Sequence, residues 1–305
     1  MPLKNYYIKL KHIAPAFFAI TIIPAIILAL LRLLFILLGI EIWKEVWEIF
    51  IPLLLSFIIT PIWFRPKLKI LVFKKQSNTK RDTYMFLPIS IIIGILTCSQ
   101  IYIGTATGKL KNVNHPEEIE KQKPAQYYTI KAFSISKNTN NHFINVSHGK
   151  GTHFTSYFVF PMVQDTTKLT HDISKVWYAV NFSKTIHGNG LSAAEEKKEF
   201  NRFEKEAIQK AKNYKLLPAT YFRSLPSSFM TEGYITAVEK ATKRPIDNSV
   251  TILEPITRPF NVRNGIMLPL TLYIFVAGTI FFLISLSWSK LSNLKLLKDR
   301  MLTKQ

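Results

Sequence analysis

The sequence predicts an integral membrane protein with four α-helical spans and an α+β domain outside the cytoplasm, an antiparallel sheet with helices on one face. Four long apolar runs each carry at most one charged residue, and the segment 105–265 between the last two is patterned like a folded domain. The 305 residues include 40 Lys+Arg against 19 Asp+Glu, yet the mean hydropathy is +0.13. Apolar and basic residues must therefore be segregated along the chain.

The apolar runs define the spans, because about 20 apolar residues cross ~30 Å of hydrocarbon. The second run is short and contains Pro52 and Pro61, so it crosses fully only if its Trp47–Glu48 end lies at the interface or the helix is compressed. No signal-peptidase site follows the first run, and we expect that run to be retained as a span. The predicted spans are 13–40, 47–64, 84–104 and 266–288.

The basic residues of the short loops predict the orientation. The N-terminal stretch, the 65–81 loop and the tail 289–305 are basic, whereas the 41–48 loop is mainly acidic. Both termini are therefore expected inside and the 105–265 domain outside, in the cytoplasmic (inner) membrane of a bacterium, as the Lys-, Ile- and Asn-rich composition suggests. We expect anionic lipids to bind the 65–81 loop and the tail, predicted to be an amphipathic segment along the inner leaflet.

The 105–265 domain shows two hydrophobic periods. Alternating residues predict a four-strand meander, and the capping box Ser192-x-x-Glu195 predicts a helix to about Tyr214. We expect a stripe on this helix to pack on the sheet, a second helix over 232–241 and a last strand over 249–253. The meander strands are 127–135, 142–148, 152–163 and 175–186, and the stripe is Phe200, Phe203, Ala207, Ala211 and Tyr214.

Few residues suggest chemistry. His142, His148 and His153 are weak metal candidates that could share one face of a hairpin, but surface histidines are the favoured interpretation. The one cysteine, Cys98, lies in the third run, so a disulfide framework is excluded. The intramembrane protease motifs G-x-S-G, G-x-G-D and H-E-x-x-H are absent. No cofactor is expected. No nucleic-acid partner is expected either, since the cations adjoin the membrane and lack interleaved aromatics.

Arg32 is the membrane-charge candidate, because a cation within a span is a functional hypothesis by default. The favoured interpretation is that the span ends near Leu31 or that Arg32 reaches the outer interface.

Five short stretches together resemble the N-terminal, non-catalytic membrane region of bacterial rhomboid-family intramembrane serine proteases. The resemblance implies common ancestry of the membrane-plus-domain module. In such relatives a catalytic six-helix unit follows; we expect that unit, its serine and its histidine to be absent here, so no activity is carried over. The stretches are Pro61-x-x-Phe64-Arg65-Pro66-Lys67-Leu68-Lys69, Thr105–Leu110, Tyr127-Tyr128, Leu191-Ser192-Ala193-x-Glu195 and Arg263-Asn264-Gly265.

These observations favour a non-enzymatic accessory or scaffold subunit that presents its outer domain to a protein partner in a membrane or envelope complex. One alternative is an envelope enzyme or metal-binding domain with dispersed site residues such as His148, His153 and His171. A less favoured alternative is a small transporter that uses Arg32.

Overall fold

The chain forms two compact units, Met1–Thr107 with Asn264–Gln305, and Gly108–Arg263. They are called here the helical unit and the inserted domain. A computed structural model describes residues 3–40, 43–69, 71–72, 78–137, 141–164, 174–187, 192–215, 218–225, 229–246 and 250–291. The predicted boundaries of the domain, 105 and 265, differ from this division by three and two residues.

The helical unit is built from four long helical segments. They are α1 (Leu3–Leu38), a second segment Val46–Leu68, α4 (Asn78–Ala106) and α7 (Met267–Trp288). All four contain stretches long and apolar enough to cross a membrane, as the sequence predicts. Aromatic rings fill the centre of the unit, where Phe17 stacks on Phe282 with centroids 4.2 Å apart.

The second segment is not a regular α-helix. It consists of a π-helical turn Val46–Phe50, α2 (Ile51–Ile59), a second π-helical turn Thr60–Phe64 and α3 (Arg65–Leu68). The first π-helical turn ends two residues before Pro52, and the second contains Pro61. Proline lacks the N–H that an α-helical hydrogen bond needs. The helical segment extends beyond the predicted 47–64 run at both ends.

The two helices that flank the inserted domain, α4 and α7, form an antiparallel pair. Ile91 of α4 packs on Gly278 of α7, where an added Cβ would lie 2.9 Å from the isoleucine, while Gly94 faces Ile274 further along. Glycine lets the two backbones approach closely. The C-terminal end of α4 and the N-terminal end of α7 therefore lie at the same end of the pair.

Of the tail, the structure describes the first residues, up to Leu291. Lys290–Leu291 (β10) pairs antiparallel with Leu71–Val72 (β1) in a two-stranded ribbon. The remainder of the predicted amphipathic tail, from residue 292, lies outside the described residues, as does part of the 65–81 loop.

In the ranges that the structure describes, the inserted domain contains a curled eight-stranded sheet. Its order is β2-β3-β8-β9-β7-β6-β4, and β5 also pairs with β6. The strands are β2 (Leu110–Val113), β3 (Tyr127–Ile130), β4 (Ser134–Ile135), β5 (His142–His148), β6 (Gly151–Val163), β7 (Val176–His187), β8 (Tyr221–Ser224) and β9 (Thr251–Ile256).

The prediction of an antiparallel sheet is wrong, because the sheet is mixed. Strand β2 runs parallel to β3, and β7 runs parallel to β9. Of the predicted four-strand meander, β5, β6 and β7 pair consecutively, whereas the 127–135 segment splits into two strands. Strand β3 pairs with β2 and β8 instead of β5, and β8 and β9 separate it from β7.

The prediction that the helices share one face of the sheet is also wrong. Helix α5 (Ala193–Lys212) packs through Phe203, Ala207 and Ala211 on the face that presents Phe154 and Phe158. Helix α6 (Phe229–Thr242) packs on the other face, which presents Trp177, Val159 and Ala179. Consecutive strand residues point to opposite faces, so the neighbours Phe158 and Val159 belong to different cores.

The start of α5 follows the sequence closely. Ser192 is the N-cap; its Oγ accepts a hydrogen bond from the backbone N–H of Glu195, and its own N–H donates to Glu195 Oε2 at 2.9 Å. The Ser192 hydroxyl also donates to Glu195 Oε2 at 2.6 Å, and this bond, together with the one from the Ser192 backbone N–H, lowers the pKa of the Glu195 carboxyl. The predicted stripe is also confirmed: Phe203, Ala207 and Ala211 are buried, and Phe200 and Tyr214 pack against the same core.

Candidate functional site

The Arg32 guanidinium is buried inside the helical unit. Helix α1 does not end at Leu31 but continues to Leu38, and the Arg32 side chain turns inward, with the residue only 7% exposed. Its Nη1 donates to the backbone carbonyl of Gln100 on α4, and its Nη2 lies 3.6 Å from Glu48 Oε1. The buried Arg32 cation is thus matched by an anion from the next helical segment.

Glu48 belongs to the first π-helical turn and is itself 8% exposed. Its second oxygen lies 3.8 Å from the Nζ atom of Lys44, whose side chain is 43% exposed. We define the Arg32 cluster as Arg32, Lys44, Glu48 and Gln100. Gln100 is fully buried, and neither atom of its side-chain amide has a hydrogen-bond partner among the described residues.

The backbone of α4 approaches Arg32 closely. A Cβ added at Gly104 would lie 2.3 Å from Arg32 Nη2 and 3.0 Å from Cζ. Glycine at this position therefore leaves the space that the guanidinium occupies. Gly104 and Gln100 both belong to the third apolar run. In the sequence they are two uncharged residues among many, and nothing in the pattern marks them as neighbours of Arg32.

A second set of polar contacts joins α1 and α4 to α7. Lys9 is fully buried, and its Nζ donates to the carbonyls of Leu286 and Ser289 at 2.6 and 2.9 Å. The Tyr6 hydroxyl donates to Leu283 O, and the Tyr84 hydroxyl donates to a carbonyl of the same helix end, each at 3.2 Å. A cation at a helix C-terminus is favourable because the last carbonyls carry partial negative charge.

The register of the sheet separates the histidine candidates. His142 and His148 lie on the α5 face, where their Nε2 atoms are 3.3 Å from Glu204 and 3.8 Å from Glu196. His153 pairs with Ser147 across the β5–β6 hairpin and lies on the opposite face, with Nδ1 2.8 Å from Thr185 Oγ1.

The three histidines therefore do not share one face, as the sequence suggested they could, and His171 lies outside the described residues. In the part of the chain that the structure describes, no group of three His, Cys, Asp or Glu side chains is arranged to hold a metal ion.

A half-buried tyrosine of β6 and a buried tyrosine of α6 pack against each other. Tyr157 of β6 packs edge-on against Tyr234, with centroids 4.9 Å apart, and Gly233 leaves room for the Tyr157 ring. The Tyr234 hydroxyl accepts a hydrogen bond from Asn181 Nδ2 at 2.9 Å. Burial is the main cause that raises the Tyr234 pKa, so the hydroxyl stays protonated and this pair serves packing.

An open groove of about 900 Å³ runs between the C-terminal half of α5 and the edge of Phe182 on β7. Its floor is aromatic: Phe182 and Tyr214 contact each other edge to face at 6.4 Å. The six remaining lining residues are exposed, and three of them are lysines. We call this the α5 groove; it is lined by Phe182, Lys205, Glu206, Gln209, Lys210, Asn213, Tyr214 and Lys215.

The α5 groove carries a net positive charge. Its one carboxylate, Glu206, lies 3.9 Å from Lys184 and 3.6 Å from Arg202, neither of which lines the groove. The cations of Lys205, Lys210 and Lys215 are therefore not balanced by a lining carboxylate. Sequence reasoning predicted the packed face of α5 but not this groove, since the groove needs Phe182 from another strand.

Comparisons with protein-family models, with curated proteins and with solved structures give no match for this chain. Fold and sites define a class: within the described residues, a bundle with four helices long and apolar enough to cross a membrane, and a mixed-sheet domain inserted before the last of them. Many large apolar side chains on the outside of the bundle are exposed, including Leu37, Trp63 and Trp288, as expected for a surface that contacts lipid.

Proposed function

We propose that this protein is a non-enzymatic membrane anchor that presents the inserted domain outside the cytoplasm to a protein partner, as an accessory or scaffold subunit of a membrane or envelope complex. In this proposal four helices cross the cytoplasmic membrane of a bacterium with both termini inside. Anionic lipids contact the basic 65–81 loop and the tail. The proposal needs no cofactor and no nucleic-acid partner.

The observation that carries the proposal is the antiparallel α4–α7 pair. Chain entry into the domain at Gly108 and exit at Arg263 both connect to the same end of this tightly packed pair. A domain joined to two neighbouring helices at one end fits a role in presentation on one side of a bilayer. Only residues 107–109 connect α4 to β2.

The polar groups of the helical unit support anchoring over transport. Lys9 and Arg32 both donate to backbone carbonyls of a neighbouring helix, and Arg32 is also paired with Glu48. Such contacts hold helices together, because a polar group in hydrocarbon needs a partner. The resemblance to the N-terminal region of rhomboid-family proteases stays a proposal, and it adds a membrane protease to the classes of partner worth testing.

The proposal is tested by purifying the full-length, tagged protein from native membranes in a mild detergent and identifying what remains bound by mass spectrometry. The control replaces residues 109–262 with a short Gly/Ser linker, which the neighbouring ends of α4 and α7 allow. A stoichiometric protein that binds the full chain and not the control is the expected result. A full-length chain that emerges alone, or a purified chain that turns over a substrate, would overturn the proposal.

A further inference from the structure

We propose that the α5 groove is the docking surface for the partner, and that it binds an acidic peptide segment that also carries an apolar side chain. This inference rests on the proposed function and names the surface and the chemistry of its ligand. The basic rim attracts Asp or Glu, while the apolar side chain contacts Phe182 and Tyr214 on the floor.

The charges around the α5 groove favour an acidic occupant. Lys205, Lys210 and Lys215 line the groove, and Lys137 lies beside it with its Nζ 2.6 Å from the Tyr214 carbonyl oxygen. Glu206 is engaged by cations outside the groove. A positive rim increases the rate at which an acidic segment associates and disfavours neutral or basic segments.

The floor favours a peptide over a bare anion or a lipid headgroup. Sites that hold a phosphate in a fixed orientation use Arg side chains that bind with two hydrogen bonds, or backbone N–H groups, whereas Lys acts as a point charge. The α5 groove instead combines flexible lysines with two aromatic rings, and Phe182 continues into the core through an edge-to-face contact with Phe158 at 5.7 Å. An acidic segment with an apolar anchor uses both parts of this surface, and aromatic anchors often dominate binding at interfaces.

The experiment introduces photoreactive p-benzoylphenylalanine at Gln209, an exposed residue of the groove, in the full-length protein in native membranes. The same substitution at Asn201, which is exposed on α5 but does not line the groove, is the position control. Irradiation is followed by mass spectrometry of the cross-linked peptide. We expect a cross-link from position 209 to a Glu- or Asp-rich segment of another protein, and none from position 201.

The charge test uses the triple variant K205E/K210E/K215E against K212E, which reverses an exposed lysine of the same helix outside the groove. The cross-link yield should fall about tenfold or more in the triple variant and stay at the wild-type level in K212E. Added salt should also weaken it, since ~0.1 M salt screens charges beyond about 10 Å. If the triple glutamate variant unfolds, K205Q/K210Q/K215Q gives the same test with a smaller loss.

The outcomes separate this inference from the proposed function. A cross-link to a neutral or basic segment, to a lipid or to a second copy of this chain overturns the inference, as does a yield that the three substitutions leave unchanged. If a partner co-purifies equally with wild type and the triple variant, the inference falls and the proposed function stands. If no protein co-purifies or cross-links, both fall.

Discussion

Replacing Arg32 with leucine should destabilise the helical unit strongly. Two unit charges 3.6 Å apart attract by about 5 kcal/mol at an effective dielectric constant of about 20. The substitution leaves Glu48 buried with Lys44 as its remaining cation, and the Lys44 side chain is 43% exposed, so water screens much of that attraction. We expect a loss of about 3 kcal/mol, near the lower end of the range for breaking a buried ion pair.

The assay is reversible unfolding of the purified full-length protein in mixed micelles with a rising fraction of SDS. The E48Q variant should lose less than R32L, because its amide oxygen can still accept a hydrogen bond from the guanidinium. The double variant R32L/E48Q should lose less than the sum of the two, by about 1–3 kcal/mol, since the two side chains contact each other. A free energy of unfolding for R32L within about 0.5 kcal/mol of wild type would refute the reasoning. If R32L were as stable as wild type but had lost its function, the transporter alternative would be supported.

Three further perturbations follow from the described contacts. Lys9→Met should lower the free energy of unfolding in mixed micelles by about 1–3 kcal/mol, because the carbonyls of Leu286 and Ser289 lose the Lys9 ammonium as a donor and Leu286 O keeps the Ser289 hydroxyl in its place. Gly233→Ala, which would gain ~1 kcal/mol in an unconstrained helix, should instead lower the melting temperature, since its Cβ would lie 2.5 Å from the Tyr157 ring. Ionised Glu195 stabilises α5 through its hydrogen bonds with Ser192, which lower its pKa in the folded protein. This stabilisation is present above the unfolded pKa of ~4.3 and is lost as the pH falls through the lower pKa of the folded state. The melting temperature of E195Q should therefore change less than that of the wild type between about pH 5 and 3.

Each of these predictions has a matched control. Lys11 is exposed on α1, so K11M should leave the unfolding free energy unchanged. A Cβ at Gly149 meets nothing within 4 Å, and G149A should melt like wild type. Equal losses in G233A and G149A would remove the steric argument, a harmless K9M would show that the α7 carbonyls find another donor, and identical acid profiles for wild type and E195Q would remove the capping argument.

Local rules predicted the parts of the fold that depend on neighbouring residues. The apolar runs predicted the four helical segments, and Ser192 with Glu195 predicted where α5 begins. The spacing of Phe203, Ala207 and Ala211 predicted the packed face of α5. In each case residues within one or two turns carry the whole physical cause.

The pairing of strands that are distant in sequence could not be predicted. Strands β2 and β8 have four residues each, too few for an alternating pattern to be recognised, and their absence from the prediction made the sheet look like a simple meander. The face that α6 covers depends on the crossover from β7 to the parallel strand β9. The hydrophobic periodicity of the sequence does not indicate such a crossover. The predicted end of the last strand at residue 253 is also wrong, because β9 continues through Pro255 to Ile256.

The Arg32 cluster was half visible in the sequence. Arg32 was conspicuous as a charge in an apolar run, but its burial and its partners depend on how three helical segments pack. Glu48, the lone carboxylate at the start of the second run, was the available signal. Gln100 and Gly104 gave no signal, since an uncharged run conceals both a buried amide and a glycine that admits a guanidinium.

The strand order also determines when the sheet can be completed during synthesis of the chain. Strands β8 and β9, which join β3 to β7 in the middle of the sheet, are made after the strands they join. At ~5–20 residues per second, roughly 5–20 seconds separate the synthesis of β3 from that of β8. In that interval Tyr127 and Tyr128, both buried in the finished domain, have no β8 to pair with. A ribosome that stalls before residue 221 therefore leaves the two halves of the sheet unjoined, with open edges that invite pairing with other chains.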